Sequence, residues 1–191
     1  FNIKTGELQW TFHTIPRPGE FGYDSWENPE AWKKSGGANS WAGMALDEQR
    51  GIVYIPTGSA SPDFYGGNRK GANLFANTLL ALDAATGERL WHFQTVHHDL
   101  WDRDLPSPPN LVTVTRNGRK IDAVAQATKT GFVFLFNRET GEPLFPIEEK
   151  PVPVKSELEC EEVWANQPMP LKPKPFVRHI FTEETINRFV P

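Results

Sequence analysis

An all-β protein assembled from β-propeller blades is the fold this sequence predicts, and three observations carry the prediction. One ten-residue pattern occurs three times, as Phe1-Asn2-Ile3-Lys4-Thr5-Gly6-Glu7-Leu8-Gln9-Trp10, as Leu82-Asp83-Ala84-Ala85-Thr86-Gly87-Glu88-Arg89-Leu90-Trp91, and as Phe136-Asn137-Arg138-Glu139-Thr140-Gly141-Glu142-Pro143-Leu144-Phe145. Short apolar runs bounded by turn residues fill the space between the copies, without sustained helical periodicity. Seven tryptophans, 13 phenylalanines, 17 prolines and 15 glycines in 191 residues make a chain rich in aromatics and turns, which favours sheet over helix.

The repeat has a physical meaning. In each copy an apolar residue precedes Asn or Asp, two variable residues follow, and Thr-Gly-Glu leads to an aromatic ring. Asn or Asp bonds its own turn backbone, glycine supplies a positive φ, and the returning strand delivers the ring at a fixed offset. Isolated Thr-Gly-Glu turns are common, but three full-length matches point to stacked repeats. Gly6, Gly87 and Gly141 stand 81 and 54 residues apart, so the unit between the first two copies is expanded or has lost its signature. Blades run roughly 40–50 residues, which places about three to four of them in residues 1–150, fewer than a closed ring needs.

Taken in order, a weak helical pattern spans 30–34, and strands are expected at 42–46 and 52–56 around the turn Asp47-Glu48-Gln49-Arg50-Gly51. Segment 78–82 enters the second copy and 90–96 leaves it. Strands 111–115 and 121–127 flank Arg116-Asn117-Gly118-Arg119, and 132–136 enters the third copy. Beyond Glu148 the texture changes. Pro151, Pro153, Pro168, Pro170, Pro173 and Pro175 predict an extended, poorly hydrogen-bonded segment. Residues 182–189 read as a short helix capped by Thr182 with acids in its first turn. The whole of 151–191 is expected to lie over the blades as a covering segment. Because the chain opens inside a patterned segment, it reads as a piece of a longer protein.

Composition narrows the function classes. A net charge of −4 leaves no basic surface for nucleic acid or anionic lipid. No apolar run approaches the ~20 residues of a membrane-spanning helix. The single cysteine, Cys160, rules out an internal disulfide framework and a multi-cysteine metal site. Its neighbours Glu157, Glu159, Glu161 and Glu162 argue against a nucleophilic role.

The stretch His97-His98-Asp99-Leu100-Trp101-Asp102-Arg103-Asp104 is too polar for core, and Pro106, Pro108 and Pro109 follow it. It reads as a loop leaving a strand, where functional groups collect. Three further islands accompany it: Gly36-Gly37-Ala38-Asn39-Ser40-Trp41, the run from Thr57 through Ser59 and Ser61 to Asn68, and Ala127-Thr128-Lys129-Thr130-Gly131. Each sits at a strand end, and similar spacing in successive hairpins puts them on one face. Glycines admit a ligand close to the backbone, a tryptophan offers a flat surface, and a lysine offers a cation for an oxyanion.

On these motifs the chain resembles the dehydrogenases that depend on pyrroloquinoline quinone (PQQ), nearest to their membrane-type glucose dehydrogenase branch. The repeat is similar to that family's tryptophan-docking motif, and His-Asp-x-Trp-Asp followed by Lys-Thr-Gly is specific to the family. The similarity covers residues 1 to about 155 and continues more loosely through the tail. The resemblance implies an eight-bladed quinoprotein propeller, PQQ near its axis, and a divalent cation, calcium or magnesium, on the quinone. It implies Asp102 as catalytic base, Lys129 as the donor to the quinone oxygens, Trp41 as the surface under the ring and Asn39 as a further cofactor contact. It places Ser61, or less readily Ser59, where the family often has a Thr or Asn at the cation site; serine departs from that pattern. Oxidation of an aldose such as glucose, or of another alcohol, follows by the same implication, with ubiquinone or a cytochrome as electron acceptor. So does a periplasmic, membrane-associated setting, in which the remaining blades or self-association complete the ring.

Each residue has a plainer reading beside this one. Trp101 reads as a structural wedge, and His97 and His98 as groups that orient the loop carboxylates rather than metal ligands. Asp99 and Asp104 read as turn caps or partners of Arg103. His13, His92 and His179 carry no partner pattern, Trp10 and Trp91 are core, and Lys129 alone is a turn lysine. The rival at the level of the whole chain is a non-catalytic propeller scaffold or protein-interaction module, which has no need of Asp102, Lys129 and Trp41 in register. An isolated arc of blades is also expected to be inactive, since its bare strand edges favour association.

Overall fold

The computed structural model describes residues 1–187 and 189. Its strands are β1 (Gly36–Gly37), β2 (Ala45–Asp47), β3 (Ile52–Pro56), β4 (Ala60–Ser61), β5 (Thr78–Asp83), β6 (Arg89–Gln94), β7 (Asn110–Arg116), β8 (Arg119–Ala127), β9 (Val133–Asn137), β10 (Ile147–Pro151) and β11 (Asn166–Pro170). Strands β2-β3-β5-β6 form a four-stranded antiparallel sheet and β7-β8-β9 a three-stranded one. The first is a complete up-and-down propeller blade. In it the apolar run Thr78–Asp83 takes an inner position, where both faces are covered, and so reads as continuous rather than alternating. The weak helical pattern is one turn of α-helix, Ala31–Lys34.

The repeat explains how one copy docks on the next. Trp10 donates its Nε1–H to the Ala84 carbonyl at 3.1 Å, and Trp91 donates to the Arg138 carbonyl at 2.9 Å. A Cβ placed on Gly87 would stand 2.6 Å from Trp10, and one on Gly141 would stand 2.6 Å from Trp91. Only glycine lets an indole lie flat on the turn of the following copy. Around Trp91 a core of Ile52, Tyr54, Leu79, Val124, Phe134 and Phe136 closes between the two sheets. At their rim Arg50 binds Asp47, Asp122 and Glu139, and Arg138 also reaches Asp47.

The tail differs from the unpaired segment expected. Strands β10 and β11 pair antiparallel in register from Ile147 opposite Pro170 to Pro151 opposite Asn166. Prolines are tolerated because a two-stranded ribbon has only edges, so a missing N–H can face away from the partner. The helix expected over 182–189 is a single 3-10 turn, Glu183–Thr185, in which the Thr185 hydroxyl donates to the Thr182 carbonyl at 2.7 Å. Arg188 within that span lies outside the described residues. The strand expected at 42–46 is shorter and later, Ala45–Asp47.

His92 on β6 supplies a pH test of this packing. Burial against Phe75 and Phe21, helped by the Arg89 charge, pushes its pKa down to about 4 from 6.5. Between those values the unfolded chain binds the proton and the folded chain does not, so stability falls as pH drops from 6.5 towards 4. His92→Phe is expected to shrink the difference in urea midpoint between pH 7 and pH 4.5. An undiminished difference assigns the acid sensitivity to other groups.

Candidate active site

The loop after β6 is fastened at its root by the tail. Gln167 on β11 donates Nε2–H to the His97 carbonyl at 2.7 Å, and its Oε1 accepts the His97 N–H at 2.8 Å. Two residues on, Asp99 is buried, 3% exposed. Its carboxylate accepts from Ser59 Oγ, from Asn77 Nδ2 at 2.8 Å, from Trp101 N at 2.9 Å and from Arg103 N at 2.6 Å. Arg69, fully buried, donates Nη2–H to the Asp99 carbonyl at 2.5 Å. These bonds fold the polar loop onto the sheet instead of leaving it solvated. Asp102 emerges from that fold with φ 52, in the left-handed region that residues with a Cβ seldom adopt.

Lys129, arriving from the turn between β8 and β9, meets Asp102 there. Its ammonium lies 3.1 Å from Asp102 Oδ2, 3.1 Å from the Asp102 carbonyl and 2.7 Å from Asp104 Oδ2. The same nitrogen stands 5.7 Å from the centre of the Trp41 ring. Asp104 Oδ1 accepts the Ser59 N–H at 2.6 Å. This close approach requires Gly58, where an added Cβ would stand 2.5 Å from that oxygen and 3.2 Å from Trp41 Nε1. Asp102, Asp104, Lys129 and Trp41, four residues from three separate segments, therefore share one surface.

The two carboxyls are driven apart in basicity. Partial burial and the neighbouring Asp104 carboxylate hold Asp102 above the ordinary carboxylate range, against the pull of Lys129. Burial also opposes ionisation of Asp104, but the bonds from Lys129 and the Ser59 N–H outweigh it and hold Asp104 below that range. The two acids likewise overcome the burial of Lys129 and raise its pKa, keeping the ammonium charged. A pair split in this way offers a proton acceptor beside a fixed anion.

The other residues singled out from the sequence fall as follows. Trp41 is 53% exposed, with its ring available to a ligand. Asn39 is exposed, and its carbonyl accepts the Gly58 N–H at 3.0 Å. Ser61 lies on β4 opposite Gly36, while the Ser59 hydroxyl is committed to Asp99. Trp101 is not the wedge expected; it is 70% exposed, because the loop is held by polar bonds and not by its indole. His97 and His98 do not orient carboxylates in the loop. His97 bonds Gln94 Oε1 at 2.7 Å and Glu149 Oε1 at 3.2 Å, and His98 Nδ1 bonds the Gly71 carbonyl at 2.7 Å. Asp99 and Asp104 are more than turn caps, and neither pairs with the Arg103 side chain among the described residues. Sequence reasoning passed over Asn77 and Arg69, which are buried against Ser59, Asn73 and Asp99 and leave no periodic signal.

For a flat quinone the chain offers an exposed indole face with an ammonium beside it, and this donor set fits. The surface is open: Asp102 and Lys129 are 36% and 33% exposed. A separate cavity of about 510 Å³, lined by Trp10, Phe12, Met44, Leu46, Ile55 and Leu80 among others, touches the site region only through Asn39 and Ser40. A divalent cation fits less well. Among the described residues no three His, Cys, Asp or Glu side chains come together as a metal site.

Comparison with known proteins bears on this geometry. The family described as "PQQ: Glucose/ethanol/alcohol dehydrogenase, beta-propeller domain" matches residues 1–191. The quinoprotein glucose dehydrogenase of Escherichia coli is 42% identical over 154 residues, which cover 80% of this chain and 19% of that protein. The quinate/shikimate dehydrogenase (quinone) of Acinetobacter baylyi is 41% identical over 170 residues, covering 88% of this chain and 20% of its own length. Among solved structures, the quinohemoprotein alcohol dehydrogenase ADHIIG of Pseudomonas putida superposes with a TM-score of 0.62 at 28% identity, over 73% of this chain and 22% of that one. The chain thus spans about a fifth of the length of the relatives it matches.

Proposed function

The chain belongs to the PQQ-dependent glucose/ethanol/alcohol dehydrogenase β-propeller family, and on that premise we propose that it supplies the proton acceptor and part of the cofactor surface of a quinoprotein dehydrogenase. The substrate is an aldose of the glucose type, or another primary or secondary alcohol. The observation that carries this reading is the single ammonium of Lys129 held by both Asp102 and Asp104 beside the exposed Trp41.

Bound PQQ supplies the two-electron acceptor that takes the hydride from the alcohol carbon. The residues of this chain do the rest of the work assigned here. Asp102, raised in pKa yet next to a cation, accepts the hydroxyl proton as the carbon–oxygen bond becomes a carbonyl. Lys129 keeps a positive charge beside the cofactor surface, where it would stabilise negative charge on a bound quinone. Asp104 holds that ammonium in place and stays ionised, so that it does not compete for the proton. Trp41 gives the ring a flat apolar seat, with Asn39 at its edge. The products are an aldehyde, ketone or lactone and the reduced cofactor.

Electrons pass to ubiquinone or a cytochrome, in the periplasm. A calcium or magnesium ion would take Ser61 among its ligands and the others from outside this chain, since among the described residues no three His, Cys, Asp or Glu side chains come together. Residues 1–150 serve as blades and 151–191 as their cover, an arrangement supported by the bonds of Gln167 to His97 and of His179 to the Thr130 carbonyl. By itself the chain is inactive and self-associating, until further blades close its open edges.

The test is reconstitution of the full-length protein with PQQ and calcium, followed by dye reduction with glucose. Dye reduction that requires added PQQ is the expected result. A folded protein that neither binds PQQ nor reduces dye with any aldose or alcohol overturns the reading in favour of a non-catalytic scaffold.

A further inference from the structure

Asp99 touches no reacting atom in the mechanism above, yet it grips the chain on both sides of the base. Its Oδ1 accepts the N–H of Trp101 at 2.9 Å, and its Oδ2 accepts the N–H of Arg103 at 2.6 Å. Between those two residues Asp102 sits at φ 52, a conformation that persists where the surroundings over-determine it. Asp99 is itself held from below. Ser59 Oγ and Asn77 Nδ2 both donate to its Oδ2, Asn77 also bonds Ser59 Oγ at 3.1 Å, and Arg69 holds its carbonyl. Ser59 is the link to the other acid, since its N–H binds Asp104 while its hydroxyl binds Asp99.

We infer that Asp99 is the positioning residue for Asp102: the buried Ser59–Asn77–Asp99 cluster locks the backbone on either side of the base and thereby aims its carboxylate at the substrate. This rests on the reading of Asp102 as the proton acceptor. The position requires an anion with two accepting oxygens. An asparagine there has one, and its amide N–H would face a backbone N–H, donor against donor. One of the two grips on the loop is then lost while side-chain volume is kept.

The experiment uses the full-length protein with Asp99→Asn and Ser59→Ala, and Asp102→Asn as reference. Amide hydrogen exchange over residues 100–104 is measured without cofactor. The primary deuterium isotope effect on kcat, KM and the pH profile are measured after PQQ loading, with C1-deuterated glucose. Asp99→Asn is expected to speed exchange of the Trp101 and Arg103 amides by about 5- to 10-fold. It is expected to lower kcat by ~10²-fold, with KM within a few-fold, because a misaimed base slows the chemical step. The isotope effect then rises, as bond breaking comes to limit turnover. Ser59→Ala moves exchange, kcat and isotope effect the same way by smaller amounts. Loss of folded protein alone lowers activity without changing the isotope effect, so it cannot imitate this result. Unaltered exchange and an unaltered isotope effect in folded Asp99→Asn overturn the inference; if that variant does not fold, Ser59→Ala decides by the same two readouts. Failure of the wild-type protein to turn over with PQQ overturns the proposed function instead, and the cofactor-free exchange still decides whether Asp99 clamps the loop.

Discussion

Asp102→Asn in the full-length, PQQ-loaded protein is expected to reduce kcat by ~10²–10⁴-fold, the range that a positioned general base contributes. The amide keeps the shape of the side chain but accepts no proton near neutral pH. Cofactor affinity and KM are expected to stay within a few-fold of wild type, because Trp41, Lys129 and Asp104 remain in place. The pH profile adds a sign. Burial and Asp104 raise the Asp102 pKa, so the wild-type activity is present above that raised value and is lost as pH falls through it. That acid limb should lie above the ordinary carboxylate range and should vanish from the residual activity of the variant. Turnover within a few-fold of wild type removes Asp102 from the role of base.

Trp91→Ala is expected to cost ~3–5 kcal/mol of stability, the range for truncating a buried large aromatic. Trp91 is 7% exposed and packs against Tyr54 and Phe136 at ring separations of 5.9 and 5.8 Å, while its Nε1–H satisfies the Arg138 carbonyl. Truncation opens a cavity between the two sheets and frees that carbonyl at once. Trp10→Ala, at a half-buried ring that bonds the Ala84 carbonyl, should cost clearly less. Urea unfolding of the full-length variants measures both. A Trp91→Ala loss below about 1 kcal/mol means that the docking repeat is decoration rather than a structural joint.

The repeat and the strands were legible because both obey short-range rules. Segment 52–56 was expected as a strand and is one, Ile52–Pro56, and Gly87 and Gly141 of the repeat lie where an indole must pass. The tail was less legible, since six prolines argue against pairing and a two-stranded ribbon escapes that argument. At the site, Asp102, Lys129 and Trp41 were named through family resemblance, and they do share one surface. Trp101 misled, because a tryptophan in a loop reads as an anchor, and here buried polar bonds took that task. Asp104 and Asp99 were present in the loop from the start, but nothing in their spacing distinguished them from caps.

By itself, then, the sequence determined the all-β class, the docking repeat and the segments in which chemistry could reside, because periodicity and turn preference act over a few residues. Only the tertiary structure decided the surroundings of the three neighbouring aspartates. Asp99 is buried under four donors, Asp104 is held by Lys129 and the Ser59 N–H, and Asp102 is left proton-hungry at the surface. The basicity of Asp102 and Asp104 depends on burial, on the Lys129 charge 27 and 25 residues away and, for Asp104, on the Ser59 N–H 45 residues away, and those contacts exist only once the sheets have packed.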